Sequence, residues 1–142
     1  MASGKSTYLE NAVLAAALTN VSFSAPATLY VALTTSTPTV GQTGATITEP
    51  VDANYTRVAI TSAQWAAIAS GSTHNTPALT TFFGAGAATG GFTITSIAIV
   101  DAGPAYHAAG NLLYFGDLSL SKLINAGDTA SIAGSALTIT ET

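Results

Sequence analysis

At 142 residues the chain has room for one domain, yet only 7% of it is charged and 48% is hydrophobic, where a typical soluble domain carries about 25% charged residues. A net charge of −4 with three cations, Lys5, Arg57 and Lys122, excludes nucleic acid held through phosphate contacts, which needs several Lys or Arg on one face. Cysteine is absent, which removes disulfides and thiolate chemistry, and no run of about 18 apolar residues is present to span a membrane as a helix.

The chain opens with a predicted helix over about 7–19. Thr7-x-x-Glu10 has the capping-box pattern, in which a hydroxyl and a carboxylate satisfy free N–H groups at a helix start. Leu9, Val13 and Ala16 fall on one face with Leu14 and Leu18 beside them, and Asn20 suits a left-handed stop. Such a helix either packs on the edge of a β-domain or reaches to a neighbour. The apolar run Val13–Leu18 is too short for a secretory core and follows Glu10, so the protein is expected to stay in the cytoplasm where it is made until lysis.

After Asn20 the hydrophobic period changes from 3.6 to 2. "ATLYVALTT" (27–35), "YTRVAIT" (55–61), "ALTTFFG" (78–84), "FTITSIAIVD" (92–101), "GNLLYFGDL" (110–118) and "TASIAGSALTIT" (129–140) read as short strands. Gly134-Ser135 fits a two-residue hairpin turn and Asn125–Asp128 another turn. The pattern predicts one all-β domain over 1–142, an antiparallel sandwich or jelly-roll-like fold with one N-terminal helix. Two stretches break it: "GAGAATGG" (84–91), a flexible connector, and the Thr/Gly/Pro-rich residues 35–54. A structureless stretch that long is commonly functional, and it is expected to be a loop or an arm lying on a neighbouring subunit.

Little in the sequence suggests catalysis, and no cofactor is expected. "SGKST" (3–7) imitates the end of a phosphate-binding loop but lacks the earlier glycine and the preceding strand. The glycines of 84–91 have the wrong spacing for a dinucleotide fingerprint. His74 and His107 form no i, i+4 pair; Asp101 and His107 could converge on an ion across the Gly-Pro turn between them, but Asp101 is expected instead to make an Asx-type turn bond to backbone N–H groups. No Gly-x-Ser-x-Gly elbow is present. Asn20 and Asn54 match glycosylation sequons of the kind a Thr-rich chain produces by chance. Trp65, the sole tryptophan, reads as a core or subunit-edge anchor.

With so few charges, the polar surface must be built from hydroxyls and backbone, as suits a domain covered by other subunits. The runs "TLYVALTTSTPT", "YTRVAIT", "SIAIVDA" and "GNLLYFGDLSLSKLINAGDTASIAGSALTIT" resemble a family of small bacteriophage virion proteins often labelled "phage tail fiber protein". That resemblance implies a virion component with no catalytic residues. A compact β-domain without heptads or repeats then leads us to expect a capsid cement, or decoration, protein that stabilises the shell. The alternative is a tail fibre or tail-tip attachment protein, with a carbohydrate-binding module or small hydrolase behind both. Expected partners are copies of itself, as a homotrimer, and the major capsid protein; the alternative substitutes tail proteins or a host-surface receptor. Neither nucleic acid nor membrane is expected as a partner. Thr35, Thr37, Pro38, Val40 and Ile47, with Tyr30 and Trp65, are the expected interface residues.

Overall fold

The computed structural model describes residues 3–84 and 86–141. The centre is an antiparallel five-stranded sheet, in spatial order β1 (Ser3–Lys5), β6 (Leu112–Ile124), β5 (Phe92–Val100), β2 (Thr28–Thr34) and β3 (Val58–Thr61). A two-stranded piece, β4 (Ser72–His74) with β7 (Thr138–Thr140), forms a small second sheet. The domain is a sandwich-like all-β fold with one helix, α1 (Thr7–Leu18).

Side-chain alternation explains the layers. Val31 and Leu33 of β2, Val58 and Ile60 of β3, and Ile97 of β5 point to one face. There they bury against Leu79, Phe82, Phe83 and Ala88 from the long β4–β5 connection, with Ile132 and Leu137 packed alongside. The residues between them, Ala32, Ala98 and Val100, face the other way with Leu112 and Phe115. Ile47 covers that second face and is wholly buried.

The segment 35–54 therefore folds back on its own domain. The Thr35 N–H donates to the Thr48 carbonyl at 2.8 Å, and Gln42 bridges the Thr39 N–H and the Thr46 carbonyl, each at 2.8 Å. Side chain–backbone bonds replace a ladder here, which is why no apolar period marks the stretch.

Two irregularities shape β6. Between the pairs Ile99–Tyr114 and Val100–Leu112, the extra residue Leu113 forms a bulge. Between Ile94–Lys122 and Ser96–Asp117, Thr95 alone faces the four residues Leu118–Ser121. The first bulge seats the helix: Ser6 donates its N–H to the Leu113 carbonyl at 2.9 Å and its hydroxyl to the Leu112 carbonyl. Ser6, not Thr7, caps α1, accepting the Leu9 N–H at 3.2 Å. Its burial against β6 selects it over the sequence-local pattern. Asn20 has the left-handed conformation expected of it, with φ 57°.

Two predicted strands are corrected. Residues 78–84 contribute an isolated bridge, Leu79 to Ile132, and then a turn. Gly134-Ser135 does turn the chain, but its arms do not pair with each other: Ile132 bridges Leu79 while β7 pairs with β4. Asn75 imposes that arrangement. Fully buried, its amide donates to the carbonyls of Pro77 (2.8 Å) and Ala133 (3.0 Å) and accepts the Leu137 N–H (2.9 Å). The 125–128 turn is formed, with the Asp128 N–H on the Asn125 carbonyl at 3.0 Å.

Asp52, in the connection between β2 and β3, anchors that stretch to Thr89 and Gly90 just ahead of β5. Burial would raise its pKa, but bonds from the Asn54 N–H (2.8 Å), the Thr89 N–H (2.7 Å) and hydroxyl (2.8 Å), and the Gly90 N–H (3.3 Å) outweigh that and hold the carboxyl below its ordinary value.

Two outcomes follow. Asn75→Ala leaves three backbone groups without their partner, so urea unfolding should show a loss of about 2–4 kcal/mol. A carboxyl with a lowered folded pKa stabilises above its unfolded value, and that contribution disappears as pH falls through the folded value. Asp52→Ala should therefore lower the urea midpoint at neutral pH. Its deficit relative to the parent should shrink once pH drops below the ordinary 3.8.

Candidate functional site: a locked loop end and an apolar flank

Arg57, one of the chain's three cations, is buried. Its side chain and that of Glu49 are both fully excluded from solvent. Arg57 Nε donates to Glu49 Oε1 at 2.9 Å and Nη2 to Glu49 Oε2 at 2.8 Å, a forked pair. The remaining donors reach backbone: Nη1 to the carbonyls of Ala102 (2.6 Å) and Ala108 (3.2 Å), Nη2 to that of Gly44 (2.5 Å). All five guanidinium N–H groups are thereby matched. Glu49 also accepts the Tyr55 hydroxyl at 2.9 Å and the His107 N–H at 3.0 Å. Burial, and after it the Glu49 charge, push the Tyr55 phenol well above its ordinary value. Tyr55 is thus held as a neutral donor, and its oxygen accepts the Leu33 N–H at 2.9 Å.

This network fixes the loop after β5. The Asp101 carboxylate accepts the Asn111 N–H at 2.6 Å and the Asn111 amide at 2.7 Å, closing the loop base. The partner is a backbone N–H, but one ten residues along, so the bond closes a long loop and not the Asx-type turn expected. At the loop's outer end the rings of Tyr106 and His107 stack 3.9 Å apart. His107 is thereby engaged in packing, and no metal-holding group of three or more His, Cys, Asp or Glu exists among the described residues.

The opposite character marks the helix flank. Leu9 packs on Ile99 and Leu113, and it is the one buried residue of α1. Val13, Leu14 and Leu18 are exposed, Leu14 by 55% and Leu18 by 77%, and Val21 and Phe23 continue the apolar surface after the helix. Beside them lies an open groove of about 530 Å³, walled by Phe23, Pro26, Leu29, Trp65, Ile68 and Ile139 among others, with no charged side chain in its lining. Charges gather elsewhere: a cleft of about 1350 Å³ between β6 and residues 129–141 is lined in part by Lys5, Asp117, Lys122 and Glu141.

The expected interface residues are scattered by this arrangement. Ile47 and Pro38 are buried in their own domain, so neither is available to a partner, and the reason is that the 35–54 loop covers the sheet. Tyr30 is half-buried, its ring directly over Gly103, where an added Cβ would come within 2.6 Å. Thr35 is half-buried and tied to Thr48, while Thr37 is exposed and donates to Asp117 at 2.7 Å. Val40 is exposed, and its carbonyl accepts the Thr7 N–H at 2.8 Å. Only Trp65 of the seven joins the apolar groove. Phe23 and Ile68 were not foreseen, although a helix without charge after Glu10 was a usable sign of an apolar surface.

A domain with ordered loops and an unpaired apolar flank is compatible with a structural role in a larger particle, and comparison with known proteins gives the class. The family model for Podophage GP4 fiber I protein gp80 matches residues 4–140. The chain belongs to that family. The match takes in the helix and all the strands but the first residue of β1, so it describes the whole fold rather than one motif. No curated protein matches the chain. No helix among the described residues is long and apolar enough to cross a membrane.

The buried pair yields a test. Glu49→Gln leaves the Arg57 charge buried with its counter-ion gone, and should cost about 3–5 kcal/mol in urea unfolding. Arg57→Met combined with Glu49→Leu removes both charges but strands the carbonyls of Gly44, Ala102 and Ala108 and the His107 N–H, and should cost at least as much as the single change.

Proposed function

We propose that the protein is a structural component of the tail fibre of a phage particle, present in the virion and without catalytic activity of its own. The observation that carries this reading is the match of the fiber I family across residues 4–140. The low charge supports it, since a subunit whose surface is covered in an assembly has less need of solubilising groups. The ordered loop end supports it too, because Arg57 and Glu49 hold residues 44, 102 and 108 with no ligand required.

The capsid cement role expected from the sequence gives way here. It rested on a single compact β-domain with a protruding arm and helix. The arm lies on its own sheet through Ile47, and the family's description concerns a fibre. On this reading the partners are other tail proteins, with a host-surface receptor as the fibre's eventual target.

Purified particles labelled with an antibody against the chain should carry the label at the tail when imaged. Label distributed over the head would overturn the fibre reading and restore the cement one.

A further inference from the structure

We propose that α1 and the groove beside it are two halves of one self-association surface. The exposed side of α1, through Leu14 and Leu18, seats in the Phe23–Trp65–Ile68 groove of a second copy of this chain.

The helix needs a cover. A 12-residue helix is marginal in water by itself, and this one docks through Leu9 while Val13, Leu14 and Leu18 face solvent. A helix that is apolar nearly all round is ordinarily enclosed. The groove has the matching need, for it is open, apolar and uncharged, and Ile68 on its rim is 79% exposed.

Surface area points to a second copy. A compact monomer of 14.1 kDa exposes roughly 6,700 Å², whereas this chain exposes 7299 Å². The excess, about 600 Å² over the whole chain, is comparable with one side of a small specific interface, which buries about 1,200 Å² in total, and Leu14, Leu18, Val21 and Ile68 on this flank are each more than half exposed. Both halves occur on every copy, so each copy can satisfy the other. Glu10 is the only charge in the helix sequence, so bringing copies together buries little charge. An anionic lipid surface fits worse, since binding there relies on Lys or Arg along the helix, and α1 has none.

The contact joins two different patches and is therefore heterologous. Repeated about an axis it closes into a ring, of which the expected homotrimer is one case; without closure it continues. It depends on the surface of the chain and not on its place in the particle. A monomeric chain would overturn the interface and leave the tail assignment open.

Three full-length proteins test it by sedimentation and light scattering over a dilution series, with Trp65 emission followed in parallel. The parent should form oligomers, with Trp65 emission shifting to the red as they dissociate. Leu14→Asp/Leu18→Asp, altered in the helix, and Ile68→Asp, altered in the groove, should each associate about a hundredfold more weakly or worse and keep the β-type circular dichroism of the parent. Mixing the two variants leaves one intact helix and one intact groove per pair, so the mixture should give a 1:1 dimer and stop there. A parent that is monomeric at its highest soluble concentration overturns the proposal. So do variants that retain the parent's mass, or a mixture that stays monomeric. Flotation of the parent with phosphatidylcholine vesicles while it remains monomeric would assign the surface to lipid instead, and equally overturn it.

Discussion

Everything at the loop end of this domain depends on a charge that water cannot reach. Removing a carboxylate and a guanidinium from solvent costs several kcal/mol each, and the fold offsets this by giving Arg57 five acceptors and Glu49 four donors. Those partners lie in three separate segments: the 35–54 loop, the stretch leading into β3, and the loop between β5 and β6. The pair acts as a node, and because a half-satisfied node would be costly, the three segments order together or not at all.

That dependence explains what was legible beforehand. β2 and β5 announce themselves because Val31 and Leu33, or Ile97 and Ile99, recur every second residue and are buried together. The helix was visible from its spacing, and the 125–128 turn from its Asn and Asp. Residues 78–84 look equally strand-like, but the adjacent Phe82 and Phe83 both enter the same core cluster, which a turn permits and a strand, whose neighbouring side chains alternate between faces, does not. The final segment failed for a different reason. Its pairing is set by Asn75, some 60 residues away, and no local pattern encodes that. Likewise the pairing of Arg57 with Glu49 has no sequence signature beyond two charges eight residues apart.

The interface was the least legible feature. Hydroxyl-rich residues 35–54 drew attention because they lacked a period, yet Ile47 is a core residue within them. Trp65 was identified but its surroundings were not, since Phe23, Ile68 and Ile139 converge on it only in three dimensions. The scarcity of charge proves to be uneven. Four charged residues share the cleft beside β6, and a fifth and sixth are locked inside the loop end. The helix flank is left almost purely apolar, a segregation that total composition conceals.

Lys5 and Glu141, from the first and last parts of the described chain, also meet. Glu141 accepts Lys5 Nζ and the Tyr114 hydroxyl, each at 2.7 Å, and these bonds hold its carboxyl below the ordinary range. As an exposed pair it contributes little to stability, but its geometry has a topological meaning: residues 5 and 141 are neighbours, so the fold is close to a closed loop of chain. A short linker across that gap, with new ends opened at exposed Ser70–Gly71, would reorder the sequence without cutting any strand. The order in which the strands are synthesised is thus separable from the order in which they lie in the sheet.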